Sequence, residues 1–431
     1  MRATAGLARK VDEDWRPLSP QAAIERKGEN AKPDATPAAS RSLAGATILQ
    51  IVPGMRDDPA GHATLDITRT LLHAGARAVV AGEDGPLSGE LDGIGAEWLP
   101  MPNDTINPLR IAANARRIEQ MIAGERIDIV HAQSAGAARS ALTAIERVPA
   151  FLVTSFPDRL APRSHPGAWL GGSLAHGHRV IAPSSYVAQA VIDRYKIASD
   201  RVTVIPRAVN PVAFAPAVVS ADRIAARRRA WKVAQHSRVV LVPGRIAPCN
   251  GQMTMIEAAR LMAERGERNF AVVFAGDDDS QPRYAQSLEG RANTLGIEAL
   301  CRLIGHCPDM PAAIAACDVV AVPAIEPPLS GRAAAEAQAM GRATVVSSVG
   351  TLPENVLCPP RMADELRTGW TVPPGDADEL AKALSAALAL DITSYEALGA
   401  RARQFAEFMF SPRSVAEAIR GVYTSLLARD A

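Results

Sequence analysis

The chain has 431 residues, of which 48% are hydrophobic, 22% charged and 4% aromatic, and its 47 Lys and Arg residues nearly balance its 46 Asp and Glu residues. This length predicts two or three domains, each large enough to bury its own core. A net charge of +1 and so few aromatic rings argue against a nucleic-acid-binding module, which needs a basic surface and stacking side chains.

The cysteines and the apolar runs exclude further classes of protein. The cysteine count is odd, there is no CxxC pair, and the spacing of Cys301 and Cys307 is that of no usual zinc site. We therefore expect free thiols in a reducing cytoplasm. No apolar run approaches the roughly 18–20 residues that span a bilayer. The N-terminus has no apolar segment behind its charges, so we predict no signal peptide.

The elements begin after a polar N-terminal segment. Residues 1–45 are rich in Ala, Pro, Arg and Lys, and we predict a disordered tail there, with a short helix around 20–26 as an alternative. From Ala46 short apolar runs alternate with helical patterns, which is typical of a parallel sheet with right-handed crossovers. The strands predicted in the first half are 46–52, 76–82, 128–133, 150–156, 178–184 and 202–206.

Residues 211–236 interrupt this alternation with prolines and a basic helical stretch, and we interpret them as a linker. The charge run Arg227–Arg229 is typical of a solvated helix face. The alternation then restarts, and Asp309 is predicted to cap a helix. The strands predicted in the second half are 237–245, 270–277, 301–306, 318–324 and 343–349, and the helices are 251–265, 309–317 and 332–340.

This order predicts two doubly wound α/β domains, 46–210 and 237–393, whose ligands bind at the carboxyl ends of the strands. We expect the two edges to face one another across a cleft, which is a common place for a ligand. The helical stretch 394–431 is long enough to cross back onto the first domain.

Three strand ends in the second half carry candidate site residues. Arg245 follows a strand, and a guanidinium there can hold a phosphate, although it could equally be a surface arginine. Gly305 ends another strand and indicates either a close approach to a ligand or an ordinary tight turn. Gly331 precedes an Ala-rich helix whose N-terminus suits a pyrophosphate, and Glu336 in that helix either binds ribose hydroxyls or faces solvent.

Several longer stretches carry a family resemblance. They are SGRAAAEAQAMGRATVVSSVGTLPE, GWTVPPGDADELAKAL, DIVHAQS, RVTVIPRAVNPVAFAP, PGRIAPCNGQ and IGHCPDMPAAIAACDVVAVPA. From Ala46 onward the chain resembles the family 4 (group 1) glycosyltransferases, which are retaining enzymes. The resemblance implies the α/β fold class GT-B, with two Rossmann-like doubly wound parallel-sheet domains facing across a cleft. It also implies a nucleotide-sugar donor on the C-terminal domain, a glycan or lipid-linked acceptor on the N-terminal domain, and no metal or other cofactor.

The resemblance assigns roles to single residues. Arg245 matches the catalytic arginine that stabilises the leaving diphosphate, which is electrostatic catalysis. Glu336 matches the glutamate that binds the donor ribose. The other positions that match donor-binding segments are Gly54, Asn250, Gly305, His306, Gly331 and Arg332.

The sequence also departs from the family pattern at the donor site. Asn250 stands where the family has a lysine, and Pro328 stands where it has an acidic residue that holds the donor sugar. Glu326 lies two residues too early and would contact the sugar only if its loop bulged. Further departures in the cleft are Pro157 in place of a histidine, Ser330 in place of an aromatic residue, and the added charges of Asp57 and Asp58.

Two functions follow from the match and its departures. The first is an active retaining transferase of bacterial envelope or exopolysaccharide synthesis, placed in the cytoplasm with peripheral contact at the inner face of the membrane. The second is a catalytically degenerate relative that serves as a partner or regulatory subunit of another glycosyltransferase. A nicotinamide-dependent oxidoreductase is disfavoured, because the segment PGMRDDPAGHA after the first strand lacks the GxGxxG fingerprint.

Overall fold

The computed structural model describes residues 43–57, 59–157, 168–234, 236–277, 281–328 and 330–428. Residues 1–42 of the predicted tail lie outside the described residues, as does Asp58. Leu43 was included in the predicted tail, but it is 5% exposed and packs in the core of the first sheet. The packed chain therefore begins slightly before the predicted boundary at Ala46.

The first lobe is built on a sheet of seven parallel strands in the order β3-β2-β1-β4-β5-β6-β7. The direction of winding reverses between β1 and β4, which makes this the switch point where such sheets bind ligands. The strands are β1 Thr47–Gly54, β2 Arg77–Glu83, β3 Glu97–Pro100, β4 Ile129–Ala132, β5 Phe151–Ser155, β6 Arg179–Ala182 and β7 Val202–Val204.

The second lobe repeats the plan with six parallel strands in the order β10-β9-β8-β11-β12-β13, so its switch point lies between β8 and β11. Two parallel sheets with intervening helices confirm the predicted α/β class. The strands are β8 Arg238–Pro243, β9 Phe270–Ala275, β10 Cys301–Leu303, β11 Val319–Val322, β12 Ala343–Ser347 and β13 Gly369–Val372.

Helices cover both faces of each sheet. Successive side chains of β2 alternate between two separate cores, with Ala78 and Val80 in one and Val79 and Ala81 in the other. Such continuous apolar strands are expected where both faces are buried. The α-helices are Pro59–His73, Ser88–Gly93, Pro108–Glu125, Ala135–Ile145, Ala168–Gly171, Ser185–Tyr195, Ala221–Ala230, Gln252–Glu264, Pro282–Thr294, Met310–Ala316, Arg332–Ala339, Ala377–Leu388, Ile392–Phe410 and Pro412–Leu427.

The segment interpreted as a linker packs on the second lobe. Trp231 is 3% exposed and lies in a core of that lobe. Arg228 donates to the carbonyl of Ala316 at 2.9 Å, so the prediction of a solvated face was wrong at this residue. Asp309 caps the helix that follows it, as predicted, and also pairs with Arg223 at 2.7 Å.

Two adjacent segments join the lobes. The helix Ile392–Phe410 packs against the second lobe, and Pro412–Leu427 contributes Ile419 and Tyr423 to a core of the first. The chain leaves the first lobe near Val209 and returns to it after Phe410. These two segments meet where the amide of Val209 donates to the carbonyl of Phe410 at 2.8 Å. The carboxyl edges of both sheets therefore border one interlobe cleft.

Candidate functional site

The loops that follow β8 and β11 meet at the switch point of the second sheet. The carbonyl of Cys249 accepts the amide of Ile325 at 2.9 Å and that of Glu326 at 3.3 Å. Gly251 has φ +74°, and a Cβ there would lie 1.8 Å from the carbonyl oxygen of Pro323. Only glycine fits this contact, so the backbone itself holds the two loops together.

Arg245 lies on the first of these loops and is exposed. Its carbonyl accepts the side-chain amides of Asn250 and Gln252, each at 2.8 Å, which fixes the loop below it. Within the described part of the chain, the guanidinium has no hydrogen bond or ion pair. The charge is thus available to an anion at the sheet edge, whereas the amide of Asn250 is already engaged and adds no charge of its own.

Gly331 and Glu336 are placed by the helix Arg332–Ala339. A Cβ on Gly331 would lie 2.1 Å from Nδ2 of Asn355, so this position is closed to any side chain unless Asn355 moves. Glu336 is 5% exposed, and its Oε1 accepts from Nε of Arg332 at 2.5 Å. Burial raises the pKa of the Glu336 carboxyl, and the Arg332 charge and hydrogen bond oppose this shift. The carboxylate assigned to ribose is therefore already paired.

The cleft contains two cavities that share Arg332. The first, here called the Ser184 cavity, has a volume of about 330 Å³ and is lined by Ser184 and Arg207 of the first lobe and by Gly331 and Arg332 of the second. The second, here called the His62 cavity, has a volume of about 680 Å³, with Asp57, His62, Asp66 and Arg69 on one wall and Arg332 and Glu336 on the other. Arg245 lines neither cavity.

Gly305 and His306 lie on the same sheet edge as Arg245. Gly305 has φ +65°, and its carbonyl accepts the amide of Gly276 at 2.9 Å. A Cβ on Gly276 would in turn lie 2.0 Å from the carbonyl oxygen of Gly244, next to Arg245. His306 is exposed, with Nδ1 3.3 Å from Oδ1 of Asp277. Gly54 ends β1 on the facing lobe, where a Cβ would lie 3.2 Å from the carbonyl oxygen of Glu83.

The loop that contains Glu326 is anchored on both sides. Its backbone bonds to Cys249, and a Cβ on Gly350 would lie 2.9 Å from Cβ of Pro327, so the proline packs closely on the next loop. Glu326 is exposed and lines neither cleft cavity. Its contact with a donor sugar stays a prediction.

One residue that bridges the lobes was missed by the sequence analysis. Glu354 accepts the amides of Ser185 at 2.8 Å and Tyr186 at 2.9 Å, at the N-terminus of the helix Ser185–Tyr195. These amides have no partner inside their own helix, so a carboxylate there is favourable. Burial raises the pKa of Glu354, and the two amide bonds oppose that shift. The only signal was the GTLPE stretch, which carried the resemblance but no assigned role.

A buried polar cluster in the first lobe was also missed. Nδ1 of His131 lies 2.6 Å from the hydroxyl of Tyr423, and Nε2 lies 2.8 Å from Oγ of Ser155. His131 comes from β4 and Tyr423 from the last helix, so the pair ties that helix to the sheet. Burial lowers the pKa of His131 from 6.5 to about 4, and the ring is neutral near pH 7.

The buried neutral imidazole predicts a pH-dependent stability. Between pH 6.5 and about 4, His131 is protonated in the unfolded chain but neutral in the folded protein. The free energy of unfolding should therefore fall as the pH drops through this range. The loss is about 1.4 kcal/mol per pH unit and about 3 kcal/mol in all. Urea titrations at several pH values measure it. His131→Gln should flatten the curve between those limits, whereas His73→Gln, at an exposed histidine, should not; parallel curves for wild type and His131→Gln would contradict the prediction.

The described ranges contain neither a cluster of metal ligands nor a membrane-spanning helix. No group of three His, Cys, Asp or Glu side chains is arranged to hold a metal ion. No helix there is long and apolar enough to cross a bilayer. The described cysteines are all free thiols. Donor binding without a metal stays a prediction.

The comparisons with known proteins agree with this architecture. Residues 60–212 match the family model described as Glycosyltransferase Family 4, and residues 237–389 match that described as Glycosyl transferases group 1. The D-inositol 3-phosphate glycosyltransferase of Stackebrandtia nassauensis is 32% identical over 187 residues, which are 42% of this chain and 40% of that protein. The protein of the same name from Saccharomonospora viridis is 30% identical over 263 residues, 59% of this chain and 57% of that one. The aligned part thus spans less than two thirds of these relatives.

Solved structures resemble nearly the whole chain. A glycosyltransferase from Rickettsia africae superposes with a TM-score of 0.73 at 24% identity, covering 89% of this chain and 99% of its own. Anabaena Alr3699/HepE in complex with UDP superposes with a TM-score of 0.69 at 21% identity, covering 88% and 100%. Likeness at this level of identity shows the fold alone, and it confirms the predicted GT-B architecture.

Proposed function

Because the chain belongs to the group 1 and family 4 glycosyltransferases, we propose that it transfers a sugar from a nucleotide-sugar donor to a hydroxyl of an acceptor. The observation that carries this proposal is the guanidinium of Arg245 at the switch point of the second sheet, which has no partner among the residues that the structure describes. The structure of HepE with UDP supports the donor class. Arg332, at the N-terminus of the helix Arg332–Ala339, lines both cleft cavities. A helix N-terminus in this place supports the binding of a diphosphate at the same edge.

The finer parts of the proposal follow from the family resemblance. The transfer retains the anomeric configuration, and Arg245 stabilises the leaving diphosphate without a metal ion. The acceptor is a glycan or a lipid-linked molecule of envelope or exopolysaccharide synthesis. The reaction takes place in the cytoplasm, with peripheral contact at the inner face of the membrane.

A donor screen tests the proposal. The protein is incubated with uridine, adenosine and guanosine diphosphates and their sugar forms, and its thermal midpoint and sugar hydrolysis or transfer are measured. We expect one base to raise the midpoint with increasing concentration, and its sugar form to be turned over when acceptor extracts are added. The proposal is overturned if no nucleotide raises the thermal midpoint and no sugar nucleotide is turned over.

A degenerate relative that acts as a partner or regulatory subunit is the second candidate. Three observations favour it. The side-chain amide of Asn250 donates to a backbone carbonyl, and Arg332 pairs with Glu336. Pro328 has no carboxylate at the position where the family resemblance implies one. A subunit of this kind would still bind the nucleotide but would transfer sugar from the donor slowly. It would also copurify with an active glycosyltransferase from the cells that produce it.

Restoring the two missing side chains separates these candidates. We expect the double variant Asn250→Lys and Pro328→Glu to raise kcat/KM for the donor by about 10²–10⁴-fold, because each of the two charged contacts contributes about 1.5–3 kcal/mol. Asn293→Lys, at an exposed position on the helix Pro282–Thr294, is the matched control and should change nothing. If wild type already has ordinary turnover and the double variant does not exceed it, the degenerate candidate is wrong.

A further inference from the structure

The short turn Leu352–Asn355 belongs to the second lobe and contacts the first lobe across the cleft. Leu352 and Pro353 are buried, and Leu352 packs in a core of the second lobe. Arg361 donates to the carbonyl of Pro353 at 2.5 Å, which holds the turn from its other side. The turn is therefore a firm support for Glu354, the side chain that it presents to the first lobe.

Glu354 completes the first turn of a helix in the other lobe, the one that begins at Ser185. The first amides of a helix have no partner within it. Oγ of Ser184 accepts the amide of Val187 at 3.1 Å, within the same lobe. The amides of Ser185 and Tyr186 instead donate to the two carboxyl oxygens of Glu354, at 2.8 and 2.9 Å. Both bonds are lost if the lobes move apart here, so they favour the observed arrangement of the lobes.

The next residue of the same turn contacts the candidate donor site. Asn355 is buried, and its Nδ2 donates to the carbonyl of Thr351 at 2.8 Å. A Cβ on Gly331 would lie 2.1 Å from this Nδ2, so the amide lies directly against the glycine that precedes the helix Arg332–Ala339. One turn thus contacts the first lobe through Glu354 and the donor-side helix through Asn355. A shift of the first lobe relative to this turn is therefore also a shift relative to the donor site.

We propose that Glu354 is a positioning residue, which aligns the first lobe with the donor site on the second lobe by binding the amides of Ser185 and Tyr186. This inference rests on the proposed function for the reaction that the alignment serves, whereas the alignment itself is a property of the two lobes. Glu354 lines the Ser184 cavity, and so does Phe410 at the crossing between the lobes. The bridge and the chain crossing therefore border the same space.

A split between rate and binding tests this role. The proposed donor site lies on the second lobe, whereas transfer also needs an acceptor on the first. We expect Glu354→Ala to lower kcat for sugar transfer by about tenfold or more, because two hydrogen bonds to a charged group are lost. The dissociation constant of the nucleoside diphosphate should change by less than about threefold. Glu354→Gln keeps one acceptor oxygen and should lose less. Glu289→Ala, at an exposed position on the helix Pro282–Thr294, is the matched control and should change neither value.

A proline at the start of the first-lobe helix removes the same bridge from its other side. Ser185→Pro deletes one of the two amides but suits the helix, since proline is favoured at the first helical position. Ser184 before it already has the extended backbone that proline requires there, with φ −160° and ψ 161°. We expect Ser185→Pro to slow transfer more than Ser185→Ala, which keeps the amide. Combining Ser185→Pro with Glu354→Ala should be no slower than Glu354→Ala alone, whereas fully additive losses would overturn the proposal.

Small-angle X-ray scattering follows the alignment of the lobes in the full chain without any turnover. We expect a larger radius of gyration for Glu354→Ala than for wild type, with the same circular dichroism, and an unchanged radius for Glu289→Ala. A radius equal to that of wild type would overturn the proposal, and so would a loss of nucleotide binding as large as the loss of rate. Absence of transfer by wild type would contradict the proposed function alone, because the scattering comparison still decides the role of Glu354. If Glu354→Ala does not fold, Glu354→Gln and Ser185→Pro are measured in the same way and are expected to expand the protein.

Discussion

Replacing Arg245 with alanine is expected to lower kcat for sugar transfer by about 10²–10³-fold, since this is the usual cost of losing a contact that strengthens in the transition state. The guanidinium is exposed, unpaired within the described residues, and carried by a loop that four hydrogen bonds and a tight glycine contact fix in place. The family resemblance implies a lysine at position 250, but this chain has Asn250 there. No second cation on this loop therefore compensates for the loss of the Arg245 charge. Initial rates at saturating donor measure the effect.

Two further variants show that the effect belongs to the site. Arg245→Lys keeps the charge but not the paired donors, and we expect it to recover part of the rate. Arg268→Ala removes an exposed arginine that precedes β9 at the opposite edge of the same sheet, and it should leave the rate unchanged. A turnover of Arg245→Ala within twofold of wild type would exclude any role for this guanidinium in stabilising the diphosphate.

Most of the fold could be predicted from the sequence because its parallel strands are buried on both faces. Strands such as β8 and β9 are continuous apolar runs that need no partner to be recognised. The two strands that were missed, β3 and β13, lie at the edges of their sheets and are short and partly exposed. An edge strand buries only part of its surface, so its sequence carries a weaker apolar signal.

The candidate site was predicted less completely, since its key contacts join distant parts of the chain. Arg245 and Glu336 were identified from strand-end positions, whereas the pairing of Arg332 with Glu336 was missed although their i,i+4 spacing in one helix favours it. The partners of Glu354 lie 168 and 169 residues away, and those of His131 include Tyr423, 292 residues away. Single-sequence patterns report local periodicity, so contacts of this range became visible only in three dimensions.

Pairs of charged side chains occupy one part of the cleft. The His62 cavity is lined by internally paired groups, among them Asp57 with His62 at 2.8 Å and Arg332 with Glu336 at 2.5 Å. Paired groups offer both donors and acceptors, which suits the hydroxyls of a sugar or ribose. The guanidinium of Arg245 stands outside these pairs, since it has no hydrogen bond or ion pair among the described residues. The cleft thus offers an anion-binding group on the second lobe beside a region of paired polar groups.

Replacing Gly251 with alanine is expected to have the largest effect on stability. The left-handed backbone at φ +74° costs a side chain about 1–2 kcal/mol. A Cβ 1.8 Å from the carbonyl oxygen of Pro323 must also push the two loops apart, at a further cost of about 1–3 kcal/mol. We therefore expect the free energy of unfolding to fall by about 2–5 kcal/mol. The calorimetric midpoint measures the change.

Gly290→Ala is the matched control, because Gly290 is exposed within the helix Pro282–Thr294 and a Cβ there meets no atom within 4 Å. It should stabilise the protein by about 0.5–1 kcal/mol, because alanine loses less conformational freedom in a helix than glycine. Any folded Gly251→Ala protein should also bind nucleotide more weakly, since the displaced loop carries Arg245. If the two alanine variants have the same midpoint, the loops after β8 and β11 do not meet as closely as the structure places them, and Arg245 loses its fixed position at the switch point.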